Sequence, residues 1–240
     1  MIRWMWGVVV AVGIGAGLAA PAAACVVALD PGHSRDRLGA TSARGVGEWF
    51  FNRALTEQVA ASLTAQGVKA VVINPAGGPI GLKDRTRQAT EAGADLFLSI
   101  HHDSVQPQYL TPWQVDGKAR SYSDRFAGFG VFVSGRNTGF AASQAVGQDL
   151  ADALLAAGLR PSLHHAEPIP GENRPLLDAR RGIYRYDDLV VLHSAPMPAV
   201  LLEAAVIVNR EEESRAITPA FRDQVAGAVT QAVTAFCRKH

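Results

Sequence analysis

An excess of charge of either sign is missing from this chain of 240 residues: 23 Lys and Arg stand against 22 Asp and Glu. Setting Arg3 aside leaves 22 basic and 22 acidic side chains in residues 25–240, a formal charge of zero. No basic stripe and no interleaving of aromatic with basic residues marks a nucleic-acid surface, so no nucleic-acid partner is expected. The composition is not the acidic, aromatic-poor kind that keeps a chain disordered. Internal repeats and low-complexity linkers are also absent. What remains, residues 25–240, is long enough for one domain with a sizeable core.

The first 24 residues read differently. Arg3 is their only charged side chain, residues 7–18 are an apolar run, and Ala22, Ala23 and Ala24 supply small residues for cleavage. That is the three-part pattern of a secretory signal, so residues 1–24 are expected to be a signal peptide. Residues 25–240 are then an exported domain, periplasmic or at the cell envelope. The alternative is a permanent anchor, but residues 4–20 only reach the lower limit of about 17 apolar residues for a span, and four glycines loosen them. The two cysteines, Cys25 and Cys237, lie at opposite ends of the exported part. Export favours a disulfide between them, which would tie the first strand to the last helix. The rival is a lipid on Cys25, for which a leucine three residues earlier is usual; Ala22 stands there.

Apolar runs and their stops outline the elements. Residues 26–29, 70–73, 95–100, 128–133, 189–192 and 199–202 read as strands. Residues 48–66 carry Phe51, Leu55, Val59 and Leu63 at four-residue spacing, a helix stripe, closed by Gly67. Further helices are expected over 83–91, 142–157 and 219–238. Residues 105–126 and 160–186 read as long irregular stretches, the kind that often carry function. Alternating strands and helices imply an α/β, three-layer domain with a central, mostly parallel mixed sheet flanked by helices.

In such sheets ligands gather at the carboxyl ends of strands. His33, His101 and Glu203 each sit at or just past the end of an apolar run. Glu48 opens the helix that follows the first run, near where His33 must lie. Each residue has an ordinary reading of its own. His33 suits an exposed turn, Glu48 a helix first turn, where a carboxylate favours the dipole, and His101 or His102 a polar strand end. Neighbours on a strand point to opposite faces, so only one of the adjacent histidines can serve a site, and Asp103 could orient it. Glu203 is the least ordinary, because a carboxylate inside an apolar run is costly unless paired, protonated or near a metal. Two imidazoles and one carboxylate make a three-ligand zinc site with an open position. A second carboxylate is the base that zinc-assisted hydrolysis needs. His164, His165 and Glu167 form another histidine–carboxylate group; its loop-like setting reads as a solvated loop rather than a second metal site.

These motifs together resemble the zinc-dependent N-acetylmuramoyl-L-alanine amidases of the Amidase_3 type. The resemblance is carried by Ala28-Leu29-Asp30-Pro31-Gly32-His33, by Gly45-Val46-Gly47-Glu48 with Asn52, by residues 94–101 ending in His101, and by Pro198-Ala199-Val200-Leu201-Leu202-Glu203 with Val208-Asn209. It implies zinc held by His33, Glu48 and His101, Glu203 as catalytic base, and cleavage of the amide between N-acetylmuramic acid and L-alanine in peptidoglycan. The chain departs from the family pattern in having His102, Asp103 and Ser104 after His101. Some members carry a helix that covers the site until a partner protein withdraws it. Residues 160–186 would be the place for it, but their Pro and Gly content argues against a long helix, so an activator stays an open expectation and the protein is expected as a monomer. Two alternatives are a zinc carboxypeptidase-like peptidase and a non-catalytic peptidoglycan-binding module. The peptidase would need an arginine for the substrate carboxylate, for which Arg85, Arg180 and Arg181 are candidates; Glu203 counts against the binding module.

Overall fold

A computed structural model describes Met1 and residues 25–239; the signal-peptide expectation falls on residues outside that description. In chain order the elements are β1 (Val26–Pro31), α1 (Glu48–Ala65), β2 (Lys69–Val72), α2 (Leu82–Glu91), β3 (Leu96–Asp103), β4 (Thr111–Val115), β5 (Lys118–Tyr122), β6 (Gly130–Val133), α3 (Phe140–Ala156), β7 (Leu176–Asp178), β8 (Ile183–Arg185), α4 (Val190–His193), β9 (Ala199–Val206), α5 (Arg210–Ala216) and α6 (Pro219–Cys237). Seven strands make one sheet in the order β2-β1-β3-β9-β6-β8-β7. The ladders of β1 with β2 and β3, of β3 with β9, and of β6 with β8 are parallel. Those of β6 with β9 and of β7 with β8 are antiparallel.

Strands buried on both faces read as unbroken apolar runs, and the period of two sorts them. Leu96, Leu98 and Ile100 of β3, with Val200, Leu202 and Ala204 of β9, pack beneath α1, α3 and α6 against Leu55, Val59, Leu63, Leu150, Leu154, Val225, Val229 and Phe236. Burying each such large apolar side chain stabilises the fold by roughly 1.5–3 kcal/mol. On the other face Phe97 and Leu201 join Phe132, Tyr184, Leu192 and Met197. That face is only thinly covered, by α2 and the single turn of α4, and towards the carboxyl ends of the strands it turns polar: Ser99, His101, Asp103 and Glu203 follow in the same alternation. β1 lies between β2, which follows it through α1, and β3. The chain thus leaves β1 towards one side and returns on the other, opening a crevice at the carboxyl edge.

Several elements differ from the sequence reading. Residues 105–126 contain the β4–β5 hairpin, turned at Asp116 and Gly117, both at positive φ (49° and 72°). Asp-Gly is a strong two-residue hairpin signal. Residues 189–192 begin a helical turn, α4, not a strand. An apolar stretch of four residues has no period long enough to decide between the two. α5 was not expected; its N-cap is Asn209, whose side chain accepts from the Glu211 and Glu212 amides. Residues 160–186 hold β7, β8 and one turn of 3-10 helix at His164–Ala166, with no α-helix among them. Cys25 and Cys237 are joined by a disulfide, with Cα atoms 5.6 Å apart. The sulfur of Cys25 is therefore engaged, and cross-linking so long a loop adds up to about 5 kcal/mol in the chain-entropy model.

Candidate metal centre

His33, Glu48 and His101 come together at the carboxyl edge of β1 and β3. Glu48, the first residue of α1, is buried and stands between the two imidazoles. Its Oε1 is 2.9 Å from His101 Nδ1 and its Oε2 is 2.9 Å from His33 Nε2. The same carboxylate accepts from the Asn52 side-chain amide (2.9 Å), the Ala40 amide (3.0 Å) and the His102 amide (3.3 Å). Burial alone would push the Glu48 carboxyl up, but hydrogen bonds and charge from His101 and His33 outweigh it and hold the group well below the usual carboxylate range.

The backbone is shaped to admit these rings. A Cβ on Gly32 would come within 2.2 Å of the His101 ring, and one on Gly39 within 2.4 Å of Glu48 Oε2 and 2.6 Å of His33 Nε2. Gly39 also lies at φ +76°, which a side chain would strain. His33 itself sits at φ 69°, an uncommon conformation for a residue with a side chain. Arg85 fixes it. This buried guanidinium donates to the His33 carbonyl, to the Pro31 carbonyl (3.0 Å) and to Asp30 Oδ1 (2.5 Å); Asp30 also accepts from Ser99 Oγ (2.8 Å). Arg85 is thus consumed in positioning His33 and is not free for a substrate carboxylate. Arg180 and Arg181 both pair with Asp152 on α3. The three arginines that kept the peptidase alternative open are therefore all engaged elsewhere.

Strand alternation separates the two adjacent histidines. His101 faces the crevice, while His102 is turned to the α1 face, 2% exposed, with Nδ1 2.9 Å from Asn52 Oδ1. Burial pushes the His102 imidazole down to about 4, so it is neutral near pH 7 and acts as a hydrogen-bonded core residue. Glu203 lies inside β9 rather than after it, as the Cα partner of His101. Its Oε2 is buried without a hydrogen-bond partner. Burial, then the nearby charges of Asp103 and Glu48, push its carboxyl well above the usual range. Two clefts meet at His101, Leu189 and Leu201. One, of about 320 Å³, is bordered by Gly32, His33 and Arg85; the other, of about 310 Å³, by Asp103, His165, Glu172 and Glu203.

Asp103 does not orient His101, as the sequence reading suggested. It faces His164 and His165 instead, 3.3 Å and 2.7 Å from their Nε2 atoms. These histidines are not in a solvated loop: His164 is 2% exposed and the side chain of His165 is 14% exposed. Glu167 turns away to Arg125 (3.4 Å), and Glu172 stands beside His165 (2.8 Å).

The family model for N-acetylmuramoyl-L-alanine amidases, Amidase_3, matches residues 27–235, nearly the whole described chain. The chain belongs to the Amidase_3 family. Among curated amidases, AmiA of Escherichia coli strain K12 is 29% identical over 222 residues, covering 88% of this chain and 75% of AmiA. Among solved structures, the amidase Ami1 of Mycobacterium smegmatis shares the fold with a TM-score of 0.70 at 22% identity, covering 90% of this chain and 98% of that one. The catalytic domain of the amidase CwlV from Bacillus (Paenibacillus) polymyxa var. colistinus gives 0.66 at 25% identity, covering 88% and 97%. In this amidase the sequence motifs had pointed to Glu48, Asn52 and His101. Arg85 was noticed for the wrong role, and the reach of His164 and His165 to Asp103 had no local signal, since it depends on how the stretch between α3 and β7 folds back over β3.

Proposed function

We propose that this chain is a zinc-dependent peptidoglycan amidase with His33, Glu48 and His101 as metal ligands and Glu203 as catalytic base. As a family member it is a hydrolase of the amide between N-acetylmuramic acid and L-alanine in the cell wall. The observation that carries the assignment of roles is the convergence of two imidazoles on the two oxygens of one buried carboxylate, with a second carboxylate opposite on the next strand. The donor set, two nitrogens and one oxygen, suits zinc with an open fourth position, and the donor atoms lie within 4.8 Å of one another. When bound, zinc supplies a Lewis acid for the amide carbonyl and acidifies a water molecule.

The chain's own residues supply the rest. Asn52 and the His102 and Ala40 amides hold the Glu48 carboxylate, while Arg85 and Asp30 hold the His33 backbone. Glu203 takes the proton from the attacking water. The water oxygen bonds to the lactyl carbonyl carbon, the carbon–nitrogen bond breaks, and Glu203 returns the proton to the departing amine of L-alanine. A carboxyl already pushed upward by burial is suited to accepting that proton. The clefts on either side of His101 give room for the sugar on one side and the stem peptide on the other.

In this reading residues 25–240 are the catalytic domain, residues 1–24 direct export, and the enzyme works as a monomer in the periplasm or cell envelope. Export is supported by the disulfide, which persists in oxidising compartments. Zymography on cell-wall sacculi tests the reading: clearing should vanish with a chelator and return with zinc, and released stem peptides should begin at L-alanine. Clearing that survives the chelator removes zinc from the proposal, and cuts within the stem remove the amidase specificity.

A further inference from the structure

We propose that Asp103, His164 and His165 form a second site for a divalent transition-metal ion, on the wall of the cleft that also holds Glu203. The three residues converge by one donor atom each, all within 4.8 Å of one another. Both Nε2 atoms lie near the same oxygen, Asp103 Oδ2, at 3.3 Å for His164 and 2.7 Å for His165. The opposite nitrogen of each ring is already taken: His164 Nδ1 is 2.8 Å from Ser162 Oγ, and His165 Nδ1 is 2.8 Å from Glu172 Oε2. Glu172 is in turn fixed by the Gln106 amide at 2.8 Å. A metal-bound histidine ordinarily has its far N–H held by a hydroxyl, carbonyl or carboxylate; in His165 the near nitrogen is bonded to Asp103 Oδ2 at 2.7 Å, and an entering ion would displace the proton between them.

His164 supplies the independent observation. It is 2% exposed, yet its Nε2 has no hydrogen-bond partner, with Asp103 close by at 3.3 Å but not aligned to accept. An unpaired polar nitrogen at that depth is costly. Donor atoms around a tetrahedral ion with bonds of about 2.0–2.1 Å lie about 3.3–3.4 Å apart; His164 and Asp103 stand at 3.3 Å, while His165 and Asp103, in direct contact at 2.7 Å, would part slightly to admit the ion. Aromatic rings hold both imidazoles in place: Phe126 stacks on His164 (5.0 Å), and Phe132 and Tyr184 meet His165 edge-on at 5.0 and 5.5 Å. Asp103, Glu172 and Glu203 put three carboxylates on this cleft beside a single arginine, Arg174. Asp103 and His165 line the cleft directly, giving an ion a path in. Two imidazole nitrogens and a carboxylate oxygen select zinc, cobalt, nickel or ferrous iron over magnesium or calcium.

Metal stoichiometry tests the proposal and does not depend on turnover. The exported domain, stripped with a chelator, is titrated with Zn²⁺ alone, and bound metal is counted by calorimetry and by elemental mass spectrometry after desalting. The wild type should take two equivalents. His164→Ala and His165→Gln should each take one and keep the first ion, whereas His101→Ala should lose the first and keep the second. With Co²⁺ as probe, the visible ligand-field absorption should fall by about half in His164→Ala. Near-ultraviolet circular dichroism identifies a variant that fails to fold, in which case Asp103→Asn replaces it. One wild-type equivalent that disappears in His101→Ala, or two equivalents surviving in His164→Ala or His165→Gln, overturns the second site. One wild-type equivalent that survives in His101→Ala and disappears in His164→Ala overturns the zinc reading of the first site and leaves the second standing.

Discussion

Two histidine–carboxylate clusters stand at the same edge of the sheet, made from the same donor types but supported in opposite ways. In the first, the buried carboxylate of Glu48 is the hub and gives a separate oxygen to each imidazole. Its members come from the start of α1, the end of β3 and the turn after β1. In the second, one oxygen of Asp103 serves both rings, and the histidines arrive from a stretch between α3 and β7 that is mostly without regular structure. The first cluster is therefore dictated by the sheet itself. The second depends on a long excursion whose His164 packs on Phe126 and whose His165 packs on Phe132 and Tyr184. The first cluster is set by the topology of the sheet, the second by the course of the stretch between α3 and β7.

The most severe way to probe the contrast is Glu203→Gln, which removes the carboxylate proposed as the base. Turnover of muropeptide should fall by about 10²–10⁴-fold, with both zinc stoichiometry and melting behaviour kept; wild-type kcat in this variant would take Glu203 out of the mechanism. Arg85→Met comes next. It leaves Asp30 buried without its counter-ion and should cost about 3–5 kcal/mol in urea unfolding, while also freeing the His33 backbone. A loss below about 1 kcal/mol would mean that the Asp30–Arg85 pair does not hold the first cluster together.

A third test uses adjacent residues of opposite orientation. His101→Ala should abolish retention of the first metal ion, whereas His102→Ala should retain it and lose about 1–3 kcal/mol of stability because Asn52 Oδ1 is left buried and unpaired. The reverse pattern in metal analysis would put the strand register out by one. The mildest is Glu172→Gln. It keeps the shape beside His165 but weakens the acceptor, so affinity at the second cluster should drop by about 10–100-fold and affinity at the first should not move. Equal weakening of both in calorimetry would show that the clusters are coupled.

How much could be read from the sequence follows the same division. Period-two alternation in residues 96–103 already separated His101 from His102, and the cost of a carboxylate in the run 199–206 singled out Glu203. Glu48 was placed by knowing that a helix after the first strand begins near that strand's end. These inferences rest on local periodicity and parallel topology, which a sequence carries. Arg85 was visible only as a cation, because its burial against Asp30 depends on how α2 docks beneath β1. The second cluster was misread for a related reason: His164 and His165 read as part of a solvated loop, and their partner Asp103 is 61 and 62 residues away in the chain. The Asp116-Gly117 hairpin and the Asn209 cap with three glutamates after it, by contrast, carried local signals that could have been read.

The bond between Cys25 and Cys237 makes nearly the whole domain a closed covalent loop. A single protease cut at an exposed site such as the Asp116–Gly117 tip would open that loop without separating the pieces. Such a clipped molecule would run as one species on a denaturing gel until a thiol reagent was added, then fall into two fragments. The disulfide thus keeps the parts of the domain tethered after a first cut.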